Sequence, residues 1–487
     1  MKRLAASRHV TYFEVLSATG EGDCPVCHLG LRAVHRYLDG LSYEGVNDPG
    51  LRAALRSARG FCNHHAWQFA NEIRDGLGIA IIYRDVLATV RRAADAALSG
   101  LQTGSLASFL RGREGGAWLA DRLAPTGACP ACRCLAQSSQ RYLDTLLAHL
   151  ADPDLKQRYA RSPGLCLPHL AAALPRVHSH DDLELLLAVA ARRVAPVSPG
   201  STDAAPLAAG AVLQTMVGSR GAVPARPPVA APDEGAGPLA EARAAPCCTE
   251  SPPQAGTCHV CQAAASAVDG WLADVGGRGG REPGSGLPCA EALALCNAHA
   301  WRLAELAPQS AVVAVWAPAA RAVQGTLRGE PSPGGPPGRR WQRVRAALGG
   351  SPARRLGEEL AAGLQPGAAC PACSLQAAAE QRLIAGIVIG LQQSDAGIRL
   401  PAGSALCLPH LELYLRRAPG GPREQLLLWQ VSVWRLLESQ LDEYIRKQDR
   451  CALAGHRMVG REGGSARPAP GPWDLMVGAG LMGRKAR

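Results

Sequence analysis

The sequence predicts a mainly α protein of two homologous helical halves, each with two Cys3His metal-binding modules, joined by a disordered linker. Three observations predict it. A C-x-x-C pair followed by C-x-x-H occurs four times, the apolar residues between these pairs recur at helical spacing, and a Pro, Ala and Gly-rich stretch without period separates the second occurrence from the third.

The repeat is exact in its ligand types. The first pairs are Cys24/Cys27, Cys129/Cys132, Cys258/Cys261 and Cys370/Cys373, and the second pairs are Cys62/His65, Cys166/His169, Cys296/His299 and Cys407/His410. Between the second and third cysteine lie 34, 33, 34 and 33 residues, an alternation that implies a two-module ancestor duplicated in tandem. The flanks agree with that order. Modules one and three share Cys-Asn-x-His-Ala-Trp (Cys62 to Trp67, Cys296 to Trp301), and modules two and four share Leu-Cys-Leu-Pro-His-Leu (Leu165 to Leu170, Leu406 to Leu411).

Helical elements follow from the spacing of apolar side chains. Leu31, Val34, Leu38 and Leu41 share a face in module one, as do Leu135, Tyr142, Leu143, Leu146, Leu147 and Leu150 in module two. Trp67 to Val90 reads as one long amphipathic helix, and Trp429, Val433, Leu436, Leu437, Leu441 and Tyr444 mark one face of a closing helix. Asn47-Asp48-Pro49-Gly50 and Arg161-Ser162-Pro163-Gly164 are turn chemistry.

These readings divide the chain into a first half over 1–194, with modules at 24–65 and 129–169, and a second half over 258–454, with modules at 258–299 and 370–410. Residues 195–257 read as a flexible linker, 329–340 as a shorter break, and 455–487 as a loosely held tail.

Three thiolates and one imidazole suit a tetrahedral, closed structural Zn2+ site, so the sequence predicts four zinc ions per chain, with one ion per module as the simplest arrangement. Spacing alone leaves ligand sharing between modules open, and it leaves an iron–sulfur cluster as the alternative cofactor. A two-residue gap lets one turn present both side chains, and a helix starting at or just after each pair would favour thiolate through its N-terminal dipole. Structural zinc supplies ~10–16 kcal/mol per site in small peptides. That matters in a chain whose aromatic residues are only 4% of the total, because its apolar residues are mostly small and bury little area each.

Other motifs weigh less. Cys24-Pro-Val-Cys27-His28 spells a haem-attachment motif, but Arg133, Gln262 and Ser374 stand where His28 would recur. Cys134, Cys247, Cys248, Cys289 and Cys451 are unmatched between halves and read as incidental. His64 has Ala298 as its counterpart, so His65 is the preferred ligand. No phosphate loop, nucleophile elbow, HExxH or repeated acid pair is present, which leaves an enzyme reading without residues.

The formal charge of +11 raises nucleic acid as a partner, but the arginines are scattered and few aromatics interleave with them, so another protein is the expected partner. Residues 1–22 lack the continuous apolar stretch of an export signal, and the longest apolar runs fall far short of the roughly 18 residues a membrane span needs. A cytoplasmic, metal-binding protein is therefore expected, because thiols stay reduced there.

On the motifs already quoted, the chain resembles an uncharacterised bacterial family of helical proteins with an opening Cys-Pro-x-Cys, a later Cys-x-x-His and a closing segment like Glu443-Tyr444-Ile445-Arg446-Lys447-x-Asp449. The resemblance spans about Tyr12 to Asp449, supports the helical architecture and implies no particular activity. The function expected from the sequence is a zinc-binding helical scaffold or protein-interaction protein.

Overall fold

The computed structural model describes residues 8–73, 75–102, 113–195, 209–223, 258–279, 287–328, 352–393 and 405–453. Every regular element among them is helical. Up to residue 223 the α-helices are α1 (Val10–Ala18), α2 (Pro25–Gly40), α3 (Pro49–Ser57), α4 (Asn63–Gln68), α5 (Gly76–Gln102), α6 (Arg113–Leu123), α7 (Pro130–His149), α8 (Pro153–Arg161), α9 (Leu167–Ala173), α10 (His180–Val194) and α11 (Ala209–Met216). The second half supplies α12 (His259–Gly279), α13 (Cys289–Ala294), α14 (Asn297–Leu306), α15 (Gln309–Arg328), α16 (Pro352–Leu364), α17 (Pro371–Gln393), α18 (Leu408–Arg417) and α19 (Gly420–Leu453).

Local chemistry explains several boundaries. Asp48 and Asp152 cap α3 and α8, each followed by Pro at the first helical position, and Ser179 caps α10. The Trp67 to Val90 stretch differs from its expected single helix. It comprises α4, a π-helical segment Phe69–Ile73 and then α5, whose start is held by the Asp75 carboxylate accepting from the Gly78 amide at 2.9 Å.

The chain forms two compact units, and these are not the two sequence halves. Unit 1 comprises Met1–His35, Cys134–Ala230 and Val268–Leu375; unit 2 comprises Arg36–Arg133, Ala231–Ala267 and Gln376–Arg487. Each unit therefore takes segments from both halves.

In unit 1 the buried core runs through Tyr12 and Val15 of α1, Tyr142, Leu143 and Leu146 of α7, Leu183 and Leu186 of α10, and Val312, Val315 and Trp316 of α15. Helix α11 joins it through Val212, Leu213 and Met216. That helix lies within the 195–257 stretch expected to be linker. Its apolar residues fall three and four apart and find a surface on α15, so tertiary burial orders a segment with no long helical period of its own. The rest of the expected linker, apart from Ala195, lies outside the described residues, as do the 329–340 break and the 455–487 tail.

Unit 2 is built on α19 against α5 and α18 against α6. The buried side of α19 carries Leu427, Val431, Trp434, Leu437 and Leu441, while Leu436 is 61% exposed. The expected face was thus centred about one position off, because Trp434 takes the inward place assigned to Leu436. Across the interface Arg91 of α5 pairs with Glu438 at 2.7 Å.

The two units repeat one close contact. A Cβ on Gly357 of α16 would come within 2.1 Å of the Leu174 carbonyl oxygen in unit 1, and a Cβ on Gly116 of α6 within 2.3 Å of the Leu415 oxygen in unit 2. Each contact joins one sequence half to the other. Only glycine permits that approach of helix to backbone.

Candidate metal centres

All eight ligand pairs sit at helix N-termini in one geometry. The first cysteine of each pair immediately precedes the first helical residue (α2, α4, α7, α9, α12, α14, α17, α18), and the second ligand falls three residues later in the opening turn. The carbonyl of each leading cysteine accepts the amide four residues on, at 2.8–3.1 Å, from His28 after Cys24 to Leu411 after Cys407. Pro25, Pro130 and Pro371 occupy the first helical position, where a missing N–H costs no hydrogen bond. The expectation of a helix at each pair holds, with the start at the leading cysteine.

The structure brings the sixteen sequence-predicted ligands into four quartets, but not the quartets of sequence order. Cys24 and Cys27 meet Cys166 and His169; Cys62 and His65 meet Cys129 and Cys132; Cys258 and Cys261 meet Cys407 and His410; Cys296 and His299 meet Cys370 and Cys373. Each C-x-x-C pair is thus completed by the C-x-x-H of the neighbouring module. The reason is directional. Both pairs of a quartet need their helix N-termini converging on one point, and that point is set by how the helices pack.

The interatomic distances suit one ion per quartet. A tetrahedron with arms of about 2.3 Å to sulfur and 2.0 Å to nitrogen has corners roughly 3.5–3.8 Å apart. In the first quartet Cys27 Sγ lies 3.6 Å from Cys166 Sγ, and His169 Nδ1 lies 3.6, 3.3 and 3.2 Å from the sulfurs of Cys24, Cys27 and Cys166. In the second, His65 Nδ1 is 3.2, 3.7 and 3.3 Å from Cys62, Cys129 and Cys132. His410 Nδ1 lies 3.0–3.3 Å from Cys258, Cys261 and Cys407, and His299 Nδ1 3.3–3.6 Å from Cys296, Cys370 and Cys373. The facing nitrogen is Nδ1 in every case. Sulfur pairs at 3.4–3.8 Å are far beyond a disulfide bond.

Electrostatics agree with a cation-binding donor set. Hydrogen bonds from Cys132 and Cys62 pull the Cys129 thiol far down, those from Cys261 and Cys407 do so for Cys258, and those from Cys296 and Cys373 for Cys370. Facing such a thiolate pushes Cys132, Cys373 and Cys407 up. Burial opposes charge on the imidazoles, yet the neighbouring sulfurs outweigh it and raise His65 to about 9 and His169 and His299 to about 10. A shared dication would resolve the conflict by letting all three thiols ionise together. Behind His410, the Glu380 carboxylate lies 3.4 Å from Nε2, where it can orient the ring.

The four quartets differ in cover. The first is wholly buried, whereas Cys62, Cys129 and Cys132, and Cys296 and Cys373, are half-buried. Part of the cover over the first quartet comes from residues 217–219, which follow α11. Gly218, at φ +82°, passes so close that a Cβ there would touch the sulfurs of Cys27 and Cys166 at 3.3 Å. Asn297 Nδ2 donates to the carbonyls of Val217, Gly218 and Ser219 at 2.8–3.2 Å, Trp301 Nε1 donates to Gly218 at 3.0 Å, and Asn297 Oδ1 accepts the Gly221 amide at 2.9 Å. These residues were visible beforehand only as the repeated Cys-Asn-x-His-Ala-Trp flank.

Outside the quartets, the Cys134 thiol points to the Ala33 carbonyl and Cys289 to that of Pro318, each at 3.8 Å, and neither joins a site. Cys247, Cys248 and the side chain of Cys451 lie outside the described residues.

An uncharacterised 23.9 kDa protein from Caldicellulosiruptor sp. (strain Rt8B.4) is 43% identical over 67 residues, which is 14% of this chain and 32% of that protein. The chain therefore spans about a third of that relative's length. No solved structure matches. Residues 13–183, the stretch holding the first two quartets, match the family described as "Family of unknown function (DUF6062)", so the resemblance to an uncharacterised family found in the motifs is a match to this family through the first half of the chain.

Proposed function

We propose that this protein is a zinc-stabilised helical scaffold that binds another protein, with four structural Zn2+ ions and no catalytic centre at the metals. The observation that carries the reading is the closure of each quartet: three sulfurs and one imidazole lie within 4.8 Å of one another, which occupies every position of a tetrahedral ion and leaves none for substrate. The same compactness favours a single ion over a cluster, which must fit inorganic sulfide between its ligands. Soft thiolates select zinc over hard cations.

Each ion would tie two distant stretches of chain, so binding energy becomes folding energy. Scaffolding is supported by the absence of catalytic motifs and by large apolar side chains left at the helix surface, Leu428 and Leu436 on α19 and Val10 and Phe13 on α1. Free, metal-ready thiols support a reducing compartment, the cytoplasm. No helix among the described residues is long and apolar enough to cross a membrane.

Metal analysis of protein purified without added metal tests the reading. About four zinc per chain, no broad absorption near ~400 nm and loss of helical circular dichroism on chelation are expected. A metal-free protein that stays folded, or a brown protein with iron and sulfide, overturns it.

A further inference from the structure

Two quartets of unit 1 meet at one short strap, residues 217–219. On one side the strap covers the first quartet, whose Cys24, Cys27 and Cys166 are fully enclosed; a Cβ on Gly218 would stand 3.3 Å from the sulfurs of Cys27 and Cys166. On the other it is fastened to α14, the helix that opens with Cys296 and His299 of the fourth quartet. The fastening uses side chains four apart, which share one helix face. Asn297 donates to the carbonyls of residues 217–219, Trp301 donates to that of Gly218, and Glu305 pairs with Arg220 at 2.5 Å.

The strap is not held equally at its two attachments. It continues α11, which is seated by Val212, Leu213 and Met216 in the core. The Arg193 guanidinium of α10 adds to that hold, donating to Thr215 Oγ1 at 3.2 Å and to the Gln214 carbonyl at 3.3 Å. Helix α14 has less to fix it. It is ten residues long, too short to persist by itself, and its fully buried apolar side chains are Ala300 and Leu303. The ligand pair Cys296 and His299 is what anchors its first turn. That quartet is also the more open of the two, with Cys296, His299 and Cys373 half-buried. Gly218 and Gly221, both at positive φ, give the strap its turning points.

We propose that the fourth quartet latches the strap over the first. While it holds an ion, α14 stays in place and residues 217–219 stay over the sulfurs of Cys27 and Cys166. When it is emptied, α14 loosens, the strap lifts, and the first quartet opens to solvent. Metal therefore leaves unit 1 in order, from the half-buried site first and from the enclosed site only afterwards. The coupling runs through the hydrogen bonds of Asn297 and Trp301 and is reciprocal, so a closed strap also steadies the fourth quartet. The latch rests on the quartets being metal sites, a reading that zinc counts check separately.

The test is N-ethylmaleimide labelling of the full-length, zinc-loaded protein, mapped cysteine by cysteine by mass spectrometry. Asn297→Ala keeps all sixteen ligands and is expected to speed labelling of Cys27 and Cys166 about tenfold through local opening, with Cys258 and Cys407 of unit 2 unchanged. His299→Ala with Cys373→Ser, which disables the fourth quartet, is expected to give the same rise and about three zinc per chain. All three substitutions together should label Cys27 and Cys166 no faster than either change alone, because both open one latch. His65→Ala with Cys132→Ser, the matching loss in unit 2, should leave Cys27 and Cys166 as they were. Hydrogen exchange should quicken in residues 217–221 while α10 keeps its protection. Labelling of Cys27 and Cys166 that ignores the loss of the fourth quartet, or effects that multiply in the combined variant, overturns the latch even when the zinc counts are as expected. So does loss of protection throughout α10 in Asn297→Ala, which would mean that unit 1 unfolds rather than unlatches. A parent protein without zinc overturns the scaffold reading and the latch with it.

Discussion

Cys27 Sγ lies 3.6 Å from Cys166 Sγ although 139 residues separate them, while Cys62, nearer in sequence, belongs to another quartet. Pairing across modules rather than within them makes the metal count a readout of topology. Cys27→Ser with Cys166→Ser removes two ligands of one site and is expected to cost one zinc per chain. Cys27→Ser with Cys62→Ser, two substitutions in one module, removes a ligand from each of two sites and is expected to cost two. Elemental analysis of the two double variants distinguishes these outcomes, and equal losses would reject the crossed pairing.

The reciprocal glycine contacts give a second prediction. Gly357→Ala is expected to destabilise unit 1 by about 1–3 kcal/mol, and Gly116→Ala to destabilise unit 2 by a similar amount, because the obstructing atom is a backbone carbonyl that cannot rotate away. Native-state hydrogen exchange reads each unit separately. Faster exchange in α9 and α16 after Gly357→Ala, with α18 and α6 unchanged, is the expected pattern.

Asn297 is buried and spends both ends of its amide on the strap. Asn297→Ala leaves carbonyls of residues 217–219 without that donor and is expected to cost about 1–3 kcal/mol. Denaturant titration measures the loss, and Asn297→Asp should recover little of it because a carboxylate cannot donate to those carbonyls.

Asp152 couples helix capping to pH. It caps α8 through the Asp154 amide and accepts hydrogen bonds from Arg8 at 2.7 Å and Tyr12 at 3.0 Å. Burial works against its charge, but the bonds from Arg8 and Tyr12 outweigh it and hold the carboxyl below its usual value. A carboxylate lowered on folding contributes stability above its unfolded pKa of about 3.9 and loses it as pH falls through the folded value. Asp152→Ala is therefore expected to cost about 1 kcal/mol at pH 7, with the difference from the parent protein fading below about pH 4. Urea midpoints across that range check it.

Much of the local structure was legible because it is set within a few residues. A leading cysteine with a second cysteine or histidine three positions on marks one opening helical turn whatever lies elsewhere, and all sixteen candidate ligands could be named from that spacing. Leu436 was misplaced and Trp434 missed because a long amphipathic helix shows a broad apolar face, and only the neighbour α5 decides which part of it is covered. Residues 209–216 carried too short a period to be read as a helix, and it took the surface of α15 to order them.

The sequence by itself determined the candidate ligand types, the helices that present them and the twofold recurrence of a two-module pattern, since each depends on spacing along the chain. Only the tertiary structure decided which C-x-x-C meets which C-x-x-H, and that each compact unit is assembled from both halves. Those choices follow from where helix ends converge once apolar faces are buried, a long-range outcome that no local spacing encodes.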